Sequence, residues 1–177
     1  MTAETTTPRA TRLQGTDFVG YLIGLAHRSE AGDSTARARL ARLRRTLTGR
    51  TLTYNGLSEV GDQLPESLHD DDLEAYLLVA ALFALDPGTV SPRESLGATL
   101  RRLRAELSAG AESLDRRVTA LLDADAGDLP YRLRQLVQQL ASRGLTPDYL
   151  RLLNDLLAWN HPRRFVQRQW ARDYWVG

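Results

Sequence analysis

Residues 73–85, LEAYLLVAALFAL, are apolar nearly all round, and this stretch constrains the rest of the chain. A helix without a polar face has to be covered on every side. The run is too short to cross a bilayer, which takes about 20 apolar residues, so no membrane role is expected. It should be the central buried helix of a globular lobe. His69-Asp70-Asp71-Asp72 precedes it, where carboxylates suit the positive end of a helix dipole. Asp86-Pro87-Gly88 then ends it sharply. A His-Asp pair of this kind could also open a phosphohydrolase metal centre. That would need further ligands, and the remaining histidines, His27 and His161, lie in no matching motif.

Amphipathic segments on both sides can cover such a helix. Thr16 or Asp17 could cap a first helix with Phe18, Leu22 and Leu25 on one face, and Gly20 and Gly24 would let a neighbouring helix come close. Ser34 opens a second helix that buries Ala36, Leu40, Leu43 and Leu47. Arg37, Arg39, Arg42, Arg44 and Arg45 cover its remaining circumference. No acid lies among them, so no i,i+4 pair relieves the repulsion, and an anionic partner is expected. Residues 49–66 read as turns, with a short extended piece at 51–54 and a tight turn at Asn55-Gly56. Ser91-Pro92 or Ser95 starts a helix with Leu96, Leu100, Leu103 and Leu107 inward. Ser113 caps another, with Leu114, Val118, Leu121 and Leu122 inward and Arg116 and Arg117 outward.

The last third holds three further helices. Asp128, followed by Pro130 in the first turn, is placed as an N-cap. Leu129, Leu133, Leu136, Val137 and Leu140 form the apolar stripe of that helix, and Gly144 ends it. Thr146-Pro147 should start the next, with Leu150, Leu153, Leu156 and Leu157 buried and Trp159 closing it. After Asn160-His161-Pro162, the final helix carries Val166, Trp170 and Tyr174 on one side and a ridge of Arg164, Arg168 and Arg172 on another. The fold class is therefore all-α, a two-lobed helical bundle of about eight helices. Residues 1–15 are expected to be a flexible N-terminal segment, 16–108 an N-terminal helical lobe, and 111–177 a C-terminal helical lobe with a basic face.

With 177 residues and no cysteine, the chain can build a core without disulfides, and thiol catalysis and cysteine-ligated zinc are excluded. The polar N-terminus carries no apolar signal run, and a cytoplasmic location is expected. No phosphate loop, paired-histidine zinc motif or Gly-x-Ser-x-Gly elbow is present, so neither catalysis nor a cofactor is expected. The net charge of +1 conceals a pattern. Every one of the 23 basic residues is arginine. A GC-rich genome produces that usage by itself, so position carries more information than type. An acidic block at 59–74 lies between arginine-rich blocks at 28–50 and 131–177, an asymmetry that suits an anionic partner.

The ordered run LLDADAGDLPYRLRQLV, then RGLTPDYLRLLNDLLAW, then HPRRFVQRQWARDYW resembles CasB, the small-subunit family of the type I-E CRISPR Cascade surveillance complex. The resemblance covers the last third well, 22–47 and 76–107 more loosely, and the first 15 residues not at all. It implies a non-catalytic subunit of a crRNA-guided antiviral DNA surveillance complex. Such a subunit binds nucleic-acid backbone without sequence preference and stabilises the displaced strand of the R-loop. The implied partners are single-stranded DNA, crRNA, other Cascade subunits and a second copy packed head to tail. Carried onto this sequence, the nucleic-acid-binding residues would be Arg44, Arg45, Arg116, Arg117, Arg132, Arg134, Arg143, Arg163 and Arg164. Of these, Arg163 and Arg164, just past His161-Pro162, match the family pattern best. They have no acid within i,i+4 reach, so replacing both with alanine should leave thermal stability unchanged. A competing reading takes QLASRGLTPDYL as the turn of a DNA-reading helix-turn-helix, with Arg151, Asn154 and Asp155 as the readers of a transcriptional regulator.

Overall fold

The computed structural model describes residues 9–48, 51–66, 68–88, 93–107 and 109–177, with the side chains of 9–14, 51 and 71 left aside. Residues 1–8 of the expected flexible segment, the Ser91-Pro92 helix start, and Ser108 at the expected lobe boundary lie outside the described residues. The helices are α1 (Arg9–Glu30), α2 (Ser34–Thr46), α3 (Leu57–Val60), α4 (Asp70–Leu85), α5 (Leu96–Glu106), α6 (Ala111–Leu122), α7 (Leu129–Ala141), α8 (Tyr149–Leu157) and α9 (Phe165–Trp175). A two-stranded antiparallel ribbon, β1 (Leu47–Thr48) with β2 (Thr51–Leu52), pairs Leu47 with Leu52 and Thr48 with Thr51. The all-α expectation holds. No helix among the described residues is long and apolar enough to cross a membrane.

The apolar run does form the central helix. Every residue of α4 from Ala75 to Ala84 is buried, and α2, α7 and α8 pack around it. Phe18 meets Tyr76 edge-on at 4.9 Å between ring centroids, and Phe83 meets Tyr149 at 5.1 Å. The last carbonyls of a helix have no intrahelical partner, and here other elements supply one. Arg44 Nε donates to the Ala84 carbonyl (2.8 Å), and the Tyr149 hydroxyl donates to the Asp86 carbonyl just past the helix (2.8 Å) while lying 3.2 Å from that of Leu82, which accepts the Asp86 amide.

The core runs continuously across the expected lobe boundary. α5 packs on α9, and α4 on α7 and α8, so buried side chains from both halves form one cluster. At Gly97 of α5 the two halves meet backbone to backbone. A Cβ there would meet the backbone of Trp170, lying 2.8 Å from its Cα and 2.9 Å from its carbonyl carbon, and closer still to the oxygen. Polar links reinforce this seam. Ser95 caps α5 through the amide of Ala98 (3.3 Å) and donates its hydroxyl to Asp173 of α9. Asp115 of α6 accepts two bonds from Arg104 (2.8 and 3.2 Å) and one from the Tyr174 hydroxyl (2.6 Å). The Arg104 guanidinium, with help from Tyr174, holds the Asp115 carboxyl below the usual aspartate range.

Several helix starts differ from the sequence reading. α1 begins at Arg9, so Thr16 and Asp17 lie within it and cap nothing. Gly20 and Gly24 admit no neighbouring helix, because they sit opposite the buried Phe18, Leu22 and Leu25. α2 is capped by Asp33, which accepts from the amides of Thr35 and Ala36, immediately before the expected Ser34. Asn55-Gly56 lies in a 3-10 turn leading into α3 rather than in a hairpin turn. α6 starts after Gly110 at φ +91°, ahead of Ser113. Asp128 stands at the N-cap position of α7 in a helical conformation, and its carboxylate accepts from Arg132 (3.1 Å) instead of from the helix amides. The cap of α8 is Asp148, which accepts from the Arg151 amide (2.9 Å). Thr146 is drawn away, donating to Asp86 (3.1 Å), whose carboxyl burial pushes up in pKa. Gly144, at φ +65°, ends α7 as expected, with the Leu145 amide reaching back to the Leu140 carbonyl (3.1 Å).

Candidate nucleic-acid interface

An arginine can hold phosphate only with N–H groups that the protein has not already used. The nine arginines of the sequence reading divide on that test. Arg45 at the end of α2, Arg116 on α6, Arg143 after α7 and Arg163 before α9 are exposed. None of these four makes a side-chain hydrogen bond or ion pair among the described residues. Arg44 is committed through Nε to the Ala84 carbonyl, Arg117 bonds Gln139 of α7 (3.0 Å), and Arg132 pairs with Asp128. Arg134 is half-buried, and its Nε is shielded from solvent without a partner.

The repulsion expected on α2 is relieved through the tertiary fold. Glu59, at the end of α3 and nearly buried, accepts from Arg42 Nε (2.5 Å) and Nη2 (3.0 Å) and lies 4.0 Å from Arg39. The Arg42 bond holds the Glu59 carboxyl below its ordinary range against the opposing effect of burial. Part of the acidic block therefore neutralises part of the basic block within one chain. Arg37 and Arg45 are left outside that pairing.

Arg164 departs most from expectation. It sits at the N-cap of α9 with φ +46°, and its guanidinium donates to the carbonyl of Leu122, the last residue of α6. A cation at a helix C-terminus is favourable both as a donor and against the dipole. Arg163 and Arg164 are thus not equivalent. Replacing Arg163 with alanine should leave the melting temperature unchanged within the effect of about 0.5 kcal/mol usual for surface sites. Arg164→Ala should cost about 1 kcal/mol for the lost bond. Arg164→Gly should recover part of that, because glycine adopts positive φ freely. Equal melting temperatures for Arg164→Ala and wild type would contradict this division.

The helix-turn-helix alternative fails on geometry. α8 is packed against α1 and α4, with Tyr149, Leu152, Leu153, Asp155 and Leu156 buried. Its would-be readers are occupied: Arg151 bonds Asp155 (3.1 Å), and Asn154 bonds the Leu150 carbonyl (2.9 Å). His69 and Asp70 begin α4, and no cluster of three His, Asp or Glu side chains among the described residues could hold a metal ion.

The family model described as CRISPR-associated protein Cse2 matches residues 39–175, from the middle of α2 to the end of α9. The chain belongs to the Cse2 family. A Cse2 relative from Thermus thermophilus is 44% identical over 105 residues, covering 59% of this chain and 58% of the relative's length. The crystal structure of CasB from Thermus thermophilus superposes with a TM-score of 0.74 at 33% identity, covering 92% of this chain and 98% of that one. A chain of a solved CRISPR RNA-guided surveillance complex matches with a TM-score of 0.70 over 92% of this chain and 91% of that one. Its identity is 23%, and it shares the fold. The matched region of this Cse2-family chain contains all nine candidate arginines, including Arg44 and Arg45.

Two groups of exposed residues lie outside the nine candidate arginines. Arg168 and Arg172 of α9 are exposed and make no ion pair among the described residues. Phe165 and Trp175, at the two ends of that helix, are 45% and 49% exposed. The spacing of Arg164, Arg168 and Arg172 had suggested a ridge.

Proposed function

We propose that this chain is a non-catalytic subunit of a crRNA-guided surveillance complex, and that it binds nucleic-acid backbone without sequence preference and steadies the displaced single strand. The observation that carries the reading is the set of exposed arginines without acidic partners among the described residues, Arg45, Arg116, Arg143 and Arg163, on a Cse2-family fold. The likeness to a chain of a CRISPR RNA-guided surveillance complex supports assembly with other Cascade subunits and proximity to crRNA. A second copy packed head to tail belongs to the same proposal. Its acidic contact would draw on Asp70, Asp72 and Glu74, because Glu59 is sequestered by Arg42.

Salt dependence tests the backbone reading. Neutralising about five phosphates of a single strand gives a slope of roughly −3.5 in log K against log salt, so affinity should fall about a hundredfold between 50 and 200 mM. Replacing Arg45, Arg116, Arg143 or Arg163 with alanine should each make the slope shallower by about 0.7 and lower R-loop yield in the assembled complex. A flat salt response measured by fluorescence anisotropy, or a marked preference for one duplex sequence, would overturn the reading.

A further inference from the structure

α9 presents an outward stripe that the backbone reading does not use. Phe165, Arg168, Arg172 and Trp175 follow one another at intervals of three and four, so they share one face of the helix. The opposite face, with Val166, Trp170 and Tyr174, is buried against α5 and the core. The one acid on the helix, Asp173, is turned away, taking the hydroxyl of Ser95 and the side-chain amide of Gln169 (2.7 Å). The stripe therefore has an exposed ring at each end and two unpaired cations between them.

Both rings are held in place by neighbours while remaining about half exposed. His161 meets Phe165 edge to face at 4.9 Å between centroids, and Tyr174 meets Trp175 at 4.6 Å. The Arg104 guanidinium, itself held by Asp115, lies 5.8 Å from the Trp175 ring centre. Such packing lowers the entropy lost when a ligand orders a ring. At about 1.5 Å per residue the two rings are about 15 Å apart along the helix. About four stacked nucleotide steps of about 3.4 Å fit that length.

We infer that the α9 stripe is a base-stacking platform for single-stranded nucleic acid, on which Phe165 and Trp175 each take a base while Arg168 and Arg172 hold the phosphates between them. The inference rests on the proposed single-strand binding and deepens it, because it assigns affinity to bases as well as to backbone. Charge favours nucleic acid over a protein partner, since the stripe carries two cations and shows no acid. Stacking on aromatic faces is tolerant of sequence, consistent with binding without base readout.

The test compares two probes on the full chain, an oligothymidylate and an abasic strand of the same length. They carry the same phosphates and differ only in the bases. The oligothymidylate should bind at least tenfold more tightly. Phe165→Ala and Trp175→Ala should each remove about tenfold of that preference, leaving abasic affinity and the salt slope unchanged. Phe165→Tyr and Trp175→Tyr should restore it, and they keep the rings' packing if an alanine variant folds poorly. Trp159 and Trp170 are buried, so fluorescence quenching by oligothymidylate should come from Trp175 and vanish in Trp175→Tyr. Equal affinity for the two strands overturns the platform and leaves backbone binding intact. Full oligothymidylate affinity in the double alanine variant also overturns it, and failure of that variant to assemble would reassign the stripe to a protein neighbour. Binding of neither strand at low salt removes the backbone reading and the platform with it.

Discussion

Gly97→Ala should destabilise the protein by about 3 kcal/mol, while the same substitution at Gly20 should stabilise it by about 0.5–1 kcal/mol. Both glycines lie in helices, where alanine is ordinarily the better residue because glycine has more conformational freedom to lose. At Gly20 nothing among the described residues lies within 4 Å of the added methyl group, so only the helix preference acts. At Gly97 the methyl would meet backbone atoms of Trp170, and backbone cannot rotate out of the way as a side-chain end can. α9 would have to move off α5, straining the Ser95–Asp173 bond and the Arg104–Asp115–Tyr174 cluster at the same seam. For a chain of this size about 3 kcal/mol lowers the melting temperature by roughly 6–12 °C. Calorimetry on the two variants checks both signs. A Gly97→Ala protein as stable as wild type would mean that the helices are not in backbone contact there.

The same glycine shows why the fold was legible only in part. Helical period placed the buried stripes of α2, α5, α7 and α9 correctly, because burial of one face follows from the 3.6-residue repeat. Gly97 looked like an ordinary interior helix residue, whereas Gly20 and Gly24, four apart, looked like a packing motif. Which face meets another helix is set by tertiary contacts. The caps failed for a related reason. Thr146, Asp148 and Asp128 are all capable N-cap residues, and competing partners decided among them: Asp86 took Thr146, and Arg132 took Asp128.

The candidate site was legible as charge and not as availability. Sequence separates Arg42 from Glu59 by a turn-rich stretch, so an arginine face without local acids looked unrelieved, yet the fold brings Glu59 onto it. Likewise, nothing near Arg164 in sequence predicts the Leu122 carbonyl as its partner, because α6 and α9 meet only after folding. Polar-face position selected Arg116 and Arg143 no more strongly than Arg117, Arg132 and Arg134, which the fold engages or half-buries. Helical period set Trp170 on the buried stripe of α9 and left Trp175 off it.

Trp170 anchors the C-terminal helix, and its replacement with alanine should cost about 3–5 kcal/mol. The side chain is 1% exposed, packs 5.2 Å from Trp159 between ring centroids, and donates its indole N–H to Asp155 at 2.7 Å. Asp155 also accepts from Arg151 (3.1 Å), but burial prevails and pushes its carboxyl above the ordinary value of 3.8. A carboxyl raised in the folded state favours folding most fully below its unfolded pKa. That contribution is lost as pH rises through the folded value. Asp155 should therefore draw stability down as pH climbs above about 3.8, in the opposite sense to Glu59 and Asp115, whose lowered values add stability as pH rises towards their ordinary values from below. Trp170→Phe keeps most of the packing and removes the donor, leaving part of a buried carboxylate unpaired at a cost of about 1–3 kcal/mol at neutral pH. That cost should shrink on acidification, because a protonated Asp155 no longer buries a charge. Urea denaturation of wild type, Trp170→Phe and Asp155→Asn across the acid range provides the measurement, with an unchanged m-value required for the comparison. A Trp170→Phe penalty that stays constant with pH would show that Trp170 acts through packing alone and that the buried pair does not couple α8 to α9.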